Sequence, residues 1–293
     1  MNRFLITIDA GCDLSKEKCE AAGLNLVPMN VMMDDEIFAD TADTQHTLAF
    51  YARMREGAIP KTSQLTSHDL LAAWAPLTEQ NLPIVHISLG SAISGTAHNA
   101  KMAAEEWMEK HPDQKIYVID STSASTGYGL MAMEAVRLRD EGKSAEECVE
   151  YLETIKHNVH AYFTTSDLHW LQLGGRVSKT AAVLGTMLKI NPVLNLSPTG
   201  ALEVIDKVRG SKNAMRRIMT AIEETVIDPE KQTLYISHAD NPKMLETYVE
   251  EIQKRFAFKD INVNYIGTVI GAHTGPGLIT LFWMGKPRET ANQ

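Results

Sequence analysis

The 293 residues carry 28 Lys and Arg against 37 Asp and Glu, a formal net charge of −9, and no run of Lys or Arg, which argues against a nucleic-acid-binding face. Apolar residues make up 44% and charged residues 22%, the balance of a soluble globular chain with room for two domains or one large one. No apolar run approaches the roughly 20 residues that span a bilayer, and three cysteines (Cys12, Cys19, Cys148) without CxxC spacing predict neither a disulfide framework nor a zinc site, in keeping with a reducing cytoplasm.

Phe4 to Asp9 reads as a first strand, too short in its apolar part for a signal peptide, and Ala10 to Asp13 as the turn at its end. A helix follows from Ser15, then a strand over Leu26 to Met33, an exposed acidic loop over 34–43, and a helix over Thr44 to Gly57 closed by Gly57 and Pro60. Lys61-Thr62-Ser63-Gln64 is a polar loop, and Thr66 with Asp69 caps another helix. Ile84 to Ser88 is a short buried strand broken at Gly90, where Ser91, Ser94, Gly95 and Thr96 crowd a turn that opens a helix at Ala97. Such a turn leaves backbone N–H groups without partners, and with the helix dipole they favour an anion over 91–96. An ordinary serine N-cap is the alternative. Ile116 to Asp120 is a strand, Ser121 to Gly127 a Ser/Thr-rich turn, Tyr128 to Glu141 a helix, and Ser144 with Glu147 a capping box for one more. This alternation predicts a parallel sheet covered on both faces, in a domain over 1–160.

The pattern changes over 161–293, which reads as a second α/β domain with a mixed sheet. Ala161 to Thr165 is a strand, Asp167 to Leu173 a short helix, Gly174-Gly175-Arg176 a tight turn and Ser178 to Leu188 a helix. Pro192 to Leu196 and Ala201 to Val208 form a hairpin. The helix from Ser211 sets Ala214, Met215, Ile218, Met219, Ile222 and Val226 on one stripe. Leu234 to Ser237 is a strand, Asn241-Pro242 starts a helix to about Phe256, and strands over Ile261 to Ile266 and Leu278 to Met284 flank a glycine-rich loop.

The enzyme motifs are incomplete. Gly127-Tyr-Gly129-Leu-Met-Ala132 fits GxGxxA, but the region about 20 residues on is helical rather than a strand ending in an acid, which favours close helix packing over a dinucleotide. Gly90 to Gly95 has phosphate-loop spacing without its lysine, and neither GxSxG nor HExxH occurs. Thr62 and Ser63 can donate to an anion from a second direction or simply shape a turn. Gly271 to Gly277 surrounds His273 with glycines and a proline, a backbone able to approach a ligand closely. Arg176 and Arg209 each stand beside glycine, where a guanidinium fork suits phosphate or carboxylate, or remains a solvated charge.

Thr62-Ser63-Gln64, Ser91-Ala-Ile-Ser94-Gly95-Thr96, Val118-Ile-Asp-Ser121, Leu173-Gly-Gly-Arg176-Val-Ser178 and Val269-Ile-Gly-Ala-His273-Thr274-Gly-Pro-Gly277 occur in one order along the chain. Together they resemble the DegV family, bacterial lipid-binding proteins that include the fatty-acid-binding subunits of fatty acid kinase. The resemblance implies two α/β domains with one long-chain fatty acid in a tunnel between them. Its carboxylate would meet Thr62, Ser63 and Ser94, with backbone help near Gly95. His273, Arg176 and Arg209 would serve phosphoryl transfer or docking of an ATP-dependent kinase subunit, His273 also touching the ligand. No cofactor and no metal is implied. Leu89-Gly90, Thr268 and Ala272 depart from the family's more usual serine, proline and threonine. The expectation is a cytoplasmic, non-enzymatic carrier that presents a fatty acid to a separate kinase. The alternatives are a phosphotransferase or hydrolase acting through His273 and Ser94, or a lipid carrier with no kinase.

Overall fold

The computed structural model describes residues 3–177 and 190–289. Its first half runs β1 (Leu5–Asp9), α1 (Lys16–Ala22), β2 (Leu24–Val27), β3 (Met29–Met33), β4 (Glu36–Asp40), α2 (Thr44–Arg55), β5 (Lys61–Thr62), α3 (Ser67–Thr78), β6 (Ile84–Ser88), α4 (Thr96–Lys110), β7 (Ile116–Asp120), α5 (Thr126–Asp140) and α6 (Ala145–Ile155). The second half runs β8 (Val159–Thr164), α7 (His169–Leu173), β9 (Ile190–Leu196), β10 (Leu202–Arg209), α8 (Ser211–Thr225), β11 (Thr233–His238), α9 (Pro242–Arg255), β12 (Asp260–Tyr265), α10 (Thr268–Thr274) and β13 (Ile279–Met284). The helix expected over Ser178 to Leu188 lies outside the described residues.

The first sheet is parallel throughout, in the order β2-β1-β6-β7. Both its faces are apolar because helices cover both. On one face Ile84 and Ile116 pack with Leu70 and Trp74 of α3 and Ala100, Ala103 and Ala104 of α4. On the other, Ile6, Ile8, Val85 and Ile87 pack with Tyr128, Met131 and Ala135 of α5 and Cys148 and Leu152 of α6. The second sheet, β10-β9-β8-β13-β11-β12, is mixed: β11 and β12 are parallel and the other pairs antiparallel. Its Ile279, Leu281 and Trp283 pack on α8 and α9, while Phe282 on the opposite face joins the core around α5. Helix α5 is therefore shared by both sheets. A Cβ on Gly127 would stand 2.7 Å from the Phe282 ring and 2.2 Å from Ser123 Oγ, so the GxGxxA run is a packing device.

Three local expectations need correction. The strand read over Leu26 to Met33 is two strands in different sheets, parted at Pro28, which has no N–H for a ladder. The loop read over 34–43 contains β4, which hairpins onto β3 through Asp34 and Asp35, both with positive φ, in a small antiparallel sheet β4-β3-β5. The glycine-rich loop before the last strand contains α10, and His273 lies in its final turn.

Candidate functional site

A cavity of about 400 Å³ lies between the two halves. Its floor is the inner face of the mixed sheet. Thr280 and Phe282 alternate along β13, with Leu278 just before it, joined by Ala161 and Phe163 of β8, Leu196 of β9 and Leu202 of β10. Its roof comes from the first half, with Met29, Leu89, Ile93 and Ala124, and its end wall from Ile266, Val269 and Ile270. Its volume falls in the range of about 300–1,000 Å³ typical of small-molecule sites, and the lining is mostly apolar with a few converging polar groups.

Those polar groups gather from separate elements. Thr62, Ser63 and Gln64 arrive on β5 and the segment after it, Ser94 on the turn before α4, Arg176 after α7, and His273 on α10. His273 Nε2 and Thr62 Oγ1 share a hydrogen bond of 2.7 Å. With the proton on Nε2, His273 donates to Thr62 and frees the threonine O–H to donate into the cavity. Burial and the neighbouring Arg176 charge hold the His273 pKa down at about 4, so the imidazole is neutral at neutral pH. Arg176 donates from Nε to Ile93 O at 3.1 Å and from Nη1 to Gly174 O at 2.5 Å, which ties the end of α7 to the turn after β6. Among the described residues the site thus offers one fixed positive charge, Arg176, beside neutral hydroxyls and an imidazole.

The turn over 91–96 holds fewer free donors than the sequence suggests. Ser91 N–H goes to Asp120 Oδ1, Ile93 and Ser94 N–H to Gly90 O, and Thr96 N–H to Ser94 Oγ. Gly95, not a serine, is the N-cap of α4, and it makes no side-chain cap. Ser94 Oγ also meets Thr96 Oγ1 at 3.0 Å. The anion-binding capacity here rests on side chains more than on backbone.

Helix α10 is anchored by carboxylates of the first half. Asp13 Oδ1 accepts from Gly267 N at 2.9 Å, and Asp40 Oδ2 accepts from Thr268 Oγ1 at 2.8 Å and Val269 N at 3.1 Å. Tyr51 donates to Ile266 O at 2.9 Å. Burial raises the Asp13 carboxyl well above its ordinary pKa, and the nearby Asp40 and Asp9 push the same way. These contacts fix where His273 stands.

The family model described as "Uncharacterised protein, DegV family" matches residues 3–286. A DegV domain-containing protein of Clostridium perfringens is 34% identical over 290 residues, covering 99% of this chain and all of the relative. The chain belongs to the DegV family. A solved DegV family protein of Thermus thermophilus, described by its fatty acid binding, shares 27% identity and superposes with a TM-score of 0.86 over 97% of this chain and all of its own. The fatty acid kinase B3 protein of Streptococcus pneumoniae, solved loaded with linoleic acid, has the same fold at 24% identity and a TM-score of 0.84, over 98% of this chain and all of its own.

In this DegV chain, Thr62, Ser63, Ser94, Arg176 and His273 line one cavity. Gly95 flanks it, where a Cβ would strike the side chain of the lining residue Gln64. Arg209 is not brought there: it ends β10 and is exposed. Gln64, Ser125 and Thr280 line the cavity as well, without having been expected there, and the buried hydroxyls of the last two have no regular hydrogen bond among the described residues. Gln64 stands in the Thr62-Ser63-Gln64 motif and Ser125 in the Ser/Thr-rich turn over 121–127, whereas a strand threonine carries no local signal. Among the described residues no group of three His, Cys, Asp or Glu side chains could hold a metal ion, and no helix is long and apolar enough to cross a membrane.

Proposed function

We propose that this chain holds one long-chain fatty acid in the cavity, with its carboxylate at Thr62, Ser63, Ser94 and His273, and presents that carboxylate to a separate ATP-dependent kinase. The observation that carries the reading is the convergence of hydroxyls from the β5 segment and from the turn before α4, plus one imidazole, on a single mostly apolar cavity. Each methylene taken from water contributes about 0.8 kcal/mol, so a sixteen-carbon chain gains on the order of 10 kcal/mol before entropy costs. A carboxylate beside such a tunnel needs donors to offset its desolvation, and the hydroxyls supply them with Arg176 nearby. The fatty acid binding described for the Thermus thermophilus relative supports the same ligand class. The kinase enters through the motif resemblance: the partner supplies ATP and the chain retains the acyl phosphate. Arg176 stands at the cavity to assist transfer, and exposed Arg209 is left a docking role.

Native mass spectrometry of the purified protein is expected to show a bound fatty acid. Thr62→Ala and Ser94→Ala should each weaken fluorescent fatty acid binding roughly tenfold, the worth of one hydrogen bond to a charged group. The Thr62–His273 bond means that His273→Ala also costs some binding, with its larger effect on turnover by the kinase. A lipid-free protein that rejects fatty acids contradicts the reading. Full binding without capture of any kinase would leave a lipid carrier instead.

A further inference from the structure

Thr280 lies on the cavity floor, on the same face of β13 as Phe282, and it is only 4% exposed. Its Oγ1 is buried and has no hydrogen-bond partner among the described residues. The cross-strand neighbours offer it nothing. On β8 the opposite residue is Phe163, and on β11 it is Ser237, whose Oγ is already paired with Thr126 Oγ1 at 2.8 Å. Ser125, the residue before α5, also lines the cavity and is 2% exposed, and its hydroxyl has no regular hydrogen bond among the described residues. It faces the Asp13 carboxyl, whose pKa it helps to lower, in a contact short of regular hydrogen-bond geometry. Among the described residues nothing offsets the desolvation of the Thr280 hydroxyl, and the Ser125 hydroxyl has only the Asp13 carboxyl within reach. An apolar pair at these positions would suit a plain hydrocarbon tail better.

We propose that the cavity contains a second polar subsite, built on Thr280 and Ser125, that takes a hydroxyl carried part-way along an acyl chain. The inference rests on the fatty acid reading above and adds to it a substrate class, hydroxylated fatty acids. Thr280 is the specificity-determining residue: its hydroxyl donates to or accepts from the chain oxygen, while Leu278, Phe282 and Phe163 hold the methylenes on either side.

The test compares dissociation constants of the full chain for stearic acid and for its mid-chain monohydroxy positional isomers. The wild-type protein is expected to bind at least one isomer as tightly as stearic acid. Thr280→Val, which keeps the shape and removes the hydroxyl, should lower the preference for that isomer over stearic acid roughly tenfold, and Thr280→Ser should restore it. Should Thr280→Val fail to fold, Ser125→Gly, which suits the positive φ of 52° there, is read the same way. Rejection of every isomer by a protein that binds stearic acid, or an unchanged preference in Thr280→Val, overturns the subsite and leaves the fatty acid reading standing. Failure of the wild-type protein to bind any of these acids overturns both.

Discussion

A neutral histidine bonded to a threonine is a poor electrostatic trap but a good directional one. His273 is held against Thr62 on one side, and on the other its Nδ1 lies where a Cβ on Gly174 would come within 2.2 Å. Gly174 has a φ of −74°, which any residue can adopt, so the glycine is there for space and not for conformation. Gly174→Ala is therefore expected to keep the fold and push the imidazole off Thr62. Fatty acid affinity should fall several-fold, and the His273 ring signals should shift in NMR spectra. Unchanged signals would show that the α7 end yields instead. Nothing in the sequence announces this contact, because Gly174 and His273 are brought together only by the packing of two short helices. The glycines of the 271–277 run mislead for a related reason. Gly271 lies inside α10, where a Cβ would meet Tyr51 Oη at 2.5 Å, so what reads as a loop residue is a packing residue.

Elements whose signals are local were legible. Thr66 with Asp69, Ser144 with Glu147, and Asn241 ahead of Pro242 all cap helices as their spacing implies, since a cap needs only four consecutive residues. Strand β4 was hidden because one side of its sheet faces solvent: Ile37 is 68% exposed and the flanking residues are acidic, a composition that reads as loop. The anchoring of α10 was hidden as well, because Asp13 and Asp40 are far from it in sequence. That anchor carries a pH signature. A carboxyl whose folded pKa is raised favours the folded state below the unfolded value of 3.8, and loses that advantage as pH rises through the folded value. Asp13→Asn keeps an acceptor for Gly267 N and cannot ionise. Relative to wild type it should gain thermal stability as pH is raised from about 4 to 8. A constant difference across that range would remove Asp13 from the account.

At the scale of the whole molecule, the two sheets are joined by α5, by the cavity walls and by one arginine. Arg288 is buried and donates to Thr122 O, Ser197 O and Lys156 O, and from Nη2 to Thr122 Oγ1 at 2.7 Å. Burial pulls its pKa down to about 10, so it stays charged while resting on carbonyl groups drawn from both halves. Arg288→Met would leave those buried acceptors unpaired and should cost about 2–5 kcal/mol in urea unfolding. A loss below about 1 kcal/mol would mean that water replaces the guanidinium. The parallel sheet was legible from alternating strand and helix patterns, but this stitching was not, because it depends on residues that meet only in the finished fold. The position of β13 has its own consequence. Though it follows the other strands in the chain, it lies inside the mixed sheet, hydrogen-bonded to β8 on one side and β11 on the other. During synthesis, then, β8 and β11 must wait apart, unzipped, until this strand leaves the ribosome. A transcript cut short before Ile279 would yield a polypeptide whose cavity floor lacks Thr280 and Phe282 and whose second half has a gap through its middle.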